Sequence, residues 1–195
     1  MELVRGLHNL RPRHRGCAAT IGNFDGVHLG HQAVLGQLSE HAEALQLPVT
    51  VITFEPQPRE YFSSGPVPPR LTRFREKVEA LRRFGVDRFV CLRFGDYLAG
   101  LQPDDFIRII LLEGLGVKYL VVGDDFRFGK DRAGNYSLLE QAGEAHGFPV
   151  VNMHTFCIGG NRVSSTRVRE ALNSGDLAMA ESLLGRPYRM SGRVA

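Results

Sequence analysis

Cys17-Ala-Ala-Thr-Ile21, closed by Gly22-Asn-Phe-Asp-Gly-Val-His-Leu-Gly-His31 and continued by a helical run to Leu47, is the stretch that decides the fold class. Five small or β-branched apolar residues in a row suit a strand buried on both faces. The glycines after it suit a tight turn. From His28 the apolar positions Val34, Leu35, Leu38, Ala42 and Leu45 recur at helical spacing. Strand, glycine-rich turn, helix is therefore the first unit, and Pro48 ends it. Val49-Thr-Val-Ile-Thr-Phe54 reads as a second, central strand. The cycle then repeats. Ser63 to Pro69 is a loop by composition, and Thr72 is placed to cap a helix running to Phe84. Val86 to Leu92 is a strand, Pro103 to Leu112 a helix, Val117 to Val122 a strand, Asn135 to His146 a helix and Val150 to Phe156 a strand. A helical pair, Arg167 to Asn173 and Asp176 to Leu184, follows. Five strands alternating with helices predict an α/β fold with a parallel sheet, whose ligand sits where loops leave the carboxyl ends of the strands. Those loops are Gly22 to Gly30, Glu55 to Arg59, Gly123 to Gly134 and Gly159 to Thr166.

Composition narrows the function classes. The 195 residues are 43% hydrophobic and 23% charged, ordinary globular usage, so disordered, collagenous and coiled-coil readings drop out. A net charge of +3 is too small for a nucleic-acid footprint. The longest apolar stretch, Phe106 to Val122, is cut by Arg108, Glu113 and Lys118, so no membrane partner is expected. The first residues lack the apolar run of a secretion signal. Cys17, Cys91 and Cys157 stand apart without metal-ligand spacing, as reduced thiols of a cytoplasmic protein would. A polyanionic small molecule is the partner that the local arginine clusters favour.

Two constellations carry chemistry. His28 and His31 lie three apart at a helix start and share one face, where unpaired N–H groups and the positive end of the helix dipole favour an anion. Gly30 between them would let a ligand approach the backbone. The same pair also fits a surface helix with two aligned histidines, and zinc would need a third ligand that the sequence does not supply. The second constellation is Arg162-Val-Ser-Ser-Thr-Arg-Val-Arg169. One hydroxyl can cap the helix that starts there, while the others, with Arg162 or Arg169, can hold a second anion. A plain cap with solvated arginines accounts for it equally. Taken together, two anion-binding helix starts on one sheet edge could be bridged by a triphosphate.

Gly22 to His31, Thr53-Phe-Glu-Pro56, Val122-Gly-Asp-Asp-Phe-Arg-Phe-Gly129 and Val163-Ser-Ser-Thr-Arg-Val-Arg169 together resemble the adenylyltransferase (FAD synthetase) module of bacterial bifunctional riboflavin kinase/FMN adenylyltransferases. His28-Leu-Gly-His31 and the Ser-Ser-Thr segment are shared across the nucleotidyltransferase superfamily, whereas Asp125-Phe-Arg-Phe-Gly129 points to the flavin branch. The resemblance implies a Rossmann-like parallel sheet flanked by helices and a reaction of FMN with ATP giving FAD and pyrophosphate, with Mg²⁺ on the phosphates. It implies catalytic roles for Asn23, His28, His31, Ser165 and Thr166. It places Gly22, Phe24, Gly30, Asp125, Arg162, Ser164 and Arg169 at ATP, and Phe54, Pro56, Pro58, Phe126 and Arg127 at FMN. No metal ligands are implied. Gln57 stands where the family commonly has His.

Two other functions are expected to compete: adenylylation of another phosphate acceptor, such as phosphopantetheine or nicotinate mononucleotide, and a non-catalytic flavin or nucleotide carrier. Leu184-Gly-Arg-Pro-Tyr188 and Ser191-Gly-Arg-Val194 resemble the junction into a riboflavin kinase module. The expected organisation is an adenylyltransferase domain over 1–185 and a linker over 186–195, with the kinase module C-terminal in the full-length form and no kinase activity in this chain.

Overall fold

The computed structural model describes residues 1–153 and 156–192. Six strands form one wholly parallel sheet: β1 (Glu2–Arg5), β2 (Cys17–Ile21), β3 (Val49–Glu55), β4 (Arg88–Arg93), β5 (Val117–Gly123) and β6 (Val150–Met153), in the order β1-β4-β3-β2-β5-β6. A two-residue pair, β7 (Cys157–Ile158) and β8 (Asn161–Arg162), forms a separate antiparallel ribbon. Every residue of β2 is buried, because β3 and β5 flank it and helices cover both faces. The order runs away from β2 toward β3 and then toward β5, so the carboxyl end of β2 is the topological switch point, the crevice in which ligands of such sheets bind.

Alternation along β3 divides the core in two. Ile52 and Phe54 pack with Leu92, Phe106, Ile110 and Leu139 on one face, and Val49 and Val51 pack with Leu35, Leu38, Phe89 and Leu81 on the other. The helices are α1 (Leu29–Ala44), α2 (Pro58–Phe62), α3 (Phe74–Arg83), α4 (Asp96–Ala99), α5 (Pro103–Phe106), α6 (Tyr136–His146), α7 (Ser165–Asn173) and α8 (Leu177–Leu184). Each fully buried Leu or Ile contributes about 1.5–3 kcal/mol, so truncating Leu38 at the centre of α1 to alanine would cost about 2–5 kcal/mol. A third cluster of Leu71, Val163, Val168, Leu183 and Leu184, with Leu29 against it, seats α7 and α8 on the start of α1. Gly185 ends α8 at φ +68°, and a Cβ there would lie 2.7 Å from Leu29 Cδ2, so only glycine allows this approach.

The sheet has one strand more than the sequence predicts. β1 is four residues long, two of them charged, and only Val4 is buried, so its periodicity is too short to register. The helix expected over Pro103 to Leu112 continues past α5 in wide, π-type turns from Ile107 to Gly114. Thr72 does not cap α3. Arg73 holds that position, its N–H donating to Glu76 Oε2 at 2.8 Å, and Thr72 is drawn into the site instead. β6 ends at Met153, and the last part of the strand expected to Phe156 includes His154 and Thr155, outside the described residues. The segment 186–192 folds back on the body: Arg186 donates to the carbonyls of Gly26 and Val27, and the Ser191 hydroxyl donates to Glu76 Oε1 at 2.7 Å. Arg193 and Val194, part of the expected junction, lie outside the described residues.

Candidate active site

The turn after β2 delivers His28 to the N-cap of α1, where its Nδ1 accepts from the His31 N–H at 3.4 Å. Accepting at Nδ1 leaves the proton of a neutral ring on Nε2, so His28 presents an N–H outward. The His31 ring stacks on it, with centroids 3.7 Å apart and planes 17° from parallel, and Phe24 supports His31 from below at 4.8 Å. Burial pushes His28 down to about 4. Asp25 opposes that shift, and the charges of Arg162 and Arg169 reinforce it. His31 is held well below its ordinary value by burial, then by His28 and Lys77. At neutral pH both imidazoles are therefore uncharged hydrogen-bond donors. Their positive environment is supplied by the helix dipole and the nearby arginines.

Gly30 has a packing reason of its own to lack a side chain. A Cβ at Gly30 would lie 3.2 Å from Cε1 and Nδ1 of His28 and 3.4 Å from the Val163 carbonyl oxygen. The close neighbours are thus the His28 ring and the backbone leading into α7, and the missing side chain lets the two helix starts meet.

Asp25 ties the inner half of the site together. Its carboxylate accepts from Leu71 N–H and Thr72 N–H at 3.0 Å each, from the Thr72 hydroxyl at 3.2 Å and from the Arg169 guanidinium. The Arg169 Nε donates to the Pro69 carbonyl at 2.6 Å, and the Ser165 hydroxyl donates to the Asp25 carbonyl at 2.9 Å. The pair is sealed from solvent, with side chains 8% and 3% exposed. This corrects the expectation for Arg169: its guanidinium is committed to Asp25 and Pro69, where it locks α7 to the turn before α1, and is not a free cation for ATP. Phe24, expected at ATP, is 2% exposed and reaches the site only through His31. Phe54, expected as a flavin wall, is 7% exposed beneath Phe94 and Phe106 and is likewise a packing residue.

The outer half is open. Ser164 caps α7, its hydroxyl accepting from Arg167 N–H at 3.3 Å, and Thr166 is exposed on the first turn. Arg162 donates to Asp125 Oδ2 at 2.6 Å across the mouth, with side chains 48% and 66% exposed. Gly22 and Asn23 are half-buried at the end of β2, and a Cβ on Gly22 would meet the Phe24 ring at 3.1 Å. Phe126 stacks on Phe128, which stands against Phe106, while Arg127 is exposed and donates to the Phe126 carbonyl. Pro56 follows β3 and Pro58 opens α2, both half-buried. Asn23, His28, His31, Arg162, Ser165 and Thr166 are thus gathered at the switch point.

The packing brings out further side chains that the sequence reading did not assign to the site, together with Gln57, whose departure from the family's His it had noted. Lys77 on α3 is 2% exposed, and burial lowers its pKa against the opposing pull of Asp25 and Glu55. Gln57 is 2% exposed with no partner for Nε2. Arg59 is half-buried with Nη2 enclosed and unpaired. Tyr61, Phe62 and Phe94 form an edge-to-face aromatic group where α2 meets the end of β4. A buried lysine and an arginine on a five-residue helix carry no local signature, so only the packing reveals them. Among the described residues no group of three or more His, Cys, Asp or Glu side chains could hold a metal ion.

A family model described as FAD synthetase matches residues 10–167. The chain belongs to the FAD synthetase family. Its relatives include the bifunctional riboflavin kinase/FMN adenylyltransferases of Pseudomonas fluorescens, 54% identical over 194 residues, and Escherichia coli K12, 52% identical over 195. Each comparison covers 100% of this chain and 62% of the relative, so the chain spans about three-fifths of the relatives' length. A solved structure described as a macrolide-efflux protein from Streptococcus pneumoniae superimposes with a TM-score of 0.84 at 25% identity, over 96% of this chain and 72% of that one. It shows the same fold. No helix of the described residues is long and apolar enough to cross a membrane.

Proposed function

We propose that the chain is an FMN adenylyltransferase: an oxygen of the FMN phosphate bonds to the α-phosphorus of Mg-ATP, and the bond from that phosphorus to the β-bridging oxygen breaks. Its electron pair leaves with pyrophosphate. A phosphate monoester has a second pKa near 6, so the nucleophile is already largely dianionic and no general base is needed. The protein's part is positioning and charge stabilisation. In this reading His28 and His31 donate Nε2–H to the transferring phosphoryl group, assisted by Asn23. Arg162, the Thr166 hydroxyl and the free N–H groups at the start of α7, that of Ser165 among them, hold the triphosphate, and Asp125 yields Arg162 to it. Phe126 and Arg127 border the flavin with Pro56 and Pro58. Magnesium would be held chiefly by the ATP phosphates and its own waters, and would neutralise charge on the triphosphate.

The observation that carries this reading is the meeting of two anion-binding helix starts at Gly30 and Val163, with a stacked neutral histidine pair between them. The named relatives support the choice of acceptor and point to a riboflavin kinase module as the covalent partner in the full-length protein. Incubation with FMN and Mg-ATP should release pyrophosphate and form FAD. His28→Ala should lower turnover about a hundredfold, as loss of one donor from a preorganised anion site does. Equal turnover with phosphopantetheine or nicotinate mononucleotide, or binding without pyrophosphate release, would overturn the assignment.

A further inference from the structure

We propose that Arg59, in the first turn of α2, holds the phosphate monoester of the acceptor substrate. This deepens the function proposed above and rests on it. Arg59 has Nη2 enclosed without a hydrogen-bond partner, and no carboxylate pairs with it among the described residues. The charge it faces is that of Arg169, which is repulsive. A guanidinium enclosed beside another guanidinium is costly unless an anion joins it.

The balance of charge around it calls for such an anion. Arg59, Arg70, Lys77 and Arg169 gather with Asp25, Glu55 and Glu60, four cations against three carboxylates. Arg70 takes both glutamates, at 2.6 Å each, and Arg169 takes Asp25. Lys77 lies in the fields of Asp25 and Glu55 without an ion pair of its own, so Arg59 and Lys77 are both left without a carboxylate to themselves, and only Arg59 also has an enclosed donor with no hydrogen-bond partner. One residue pair away, Gln57 Nε2 is a second enclosed donor without a partner, while the Gln57 backbone is fixed by Glu60 Oε2 at 2.8 Å. The N-cap and the first turn of α2 thus each carry an enclosed donor without a partner, and two such donors two residues apart call for acceptor oxygens.

Placement decides which substrate supplies them. β3 and β5 flank β2 on opposite sides. The Asp125–Arg162 pair stands beyond the end of β5, where the triphosphate is assigned, whereas Arg59 lies on α2, which follows β3. Because β2 and the histidines that follow it lie between β3 and β5 in the order of strands, a phosphate held by Arg59 is on the other side of β2 from the Asp125–Arg162 pair, the arrangement that an in-line acceptor needs.

The test compares FMN with riboflavin, its counterpart without the phosphate, by flavin fluorescence, and measures KM for Mg-ATP alongside. Arg59→Ala should weaken FMN roughly ten- to a hundredfold while leaving riboflavin binding and the KM for Mg-ATP unchanged. Arg59→Lys should restore part of the loss. Equal weakening of FMN and riboflavin, an effect confined to Mg-ATP, or unaltered FMN binding would each overturn the proposal. If the wild-type chain binds FMN in preference to riboflavin yet forms no FAD, the adenylyltransferase reading fails and the phosphate contact stands. If FAD forms and Arg59→Ala leaves FMN binding intact, the reverse holds.

Discussion

Arg169–Asp25 and Arg162–Asp125 are the same chemical pair on the same crevice, yet their surroundings give them opposite work. The first is sealed, with side chains 8% and 3% exposed, and its carboxylate also accepts from two backbone N–H groups and a hydroxyl. The second stands in water at the mouth, with side chains 48% and 66% exposed. In a buried pair, loss of one partner leaves an uncompensated charge, whereas an exposed pair is worth little because water replaces each partner. The inner pair therefore holds the site's shape, and the outer pair is free to open for a ligand.

Breaking the inner pair should give the largest effect. Asp25→Ala strands Arg169 and frees Leu71, Thr72 and the α7 start, and should cost about 3–5 kcal/mol in urea unfolding. A loss below about 1 kcal/mol would mean that the interior tolerates the bare guanidinium and that the contrast drawn between the pairs is wrong.

A smaller effect belongs to the histidines that lie between the two pairs. His28 titrates near 4 in the fold against an ordinary value of 6.5, and His31 is shifted in the same direction. Between those values the unfolded chain binds more protons than the folded one, so stability rises with pH there. The contribution is fully present above about 6.5 and is lost as pH falls toward 4. Urea midpoints at pH 7.5 and pH 5 should show this fall, and His28→Ala should flatten it. An unchanged slope in His28→Ala would place the titration elsewhere.

The smallest change is expected at the mouth. Asp125→Asn should shift stability by no more than about 1 kcal/mol, because both side chains are solvated. Its consequence should instead be a changed KM for Mg-ATP, since Arg162 no longer has to leave a carboxylate. A melting loss as large as that of Asp25→Ala would erase the distinction between the pairs.

The order of elements was legible because its signals are local. β2, the glycine turn and α1 are read from neighbours along the chain, as are the cap at Ser164 and the apolar rhythm of β3. β1 was illegible because four residues, two of them charged, carry no period, and its place is given by pairing with β4 across the fold. Thr72 offered a plausible local cap, and a non-local carboxylate outcompeted it.

The candidate site divides in the same way. The sequence by itself determined which residues arrive at the sheet's ligand edge, because strand ends and helix starts set that, and His28, His31, Ser165 and Thr166 are there. Only the tertiary structure decided which of them face a ligand. Arg162 and Arg169 lie seven apart on one segment and look alike, but Arg169 points inward to Asp25, 144 positions away, and Arg162 outward to Asp125. Phe24 and Phe54 went to the interior, and Arg59 was left without a carboxylate. Burial and charge pairing depend on what distant segments bring to a side chain, and sequence spacing along one segment holds no record of them.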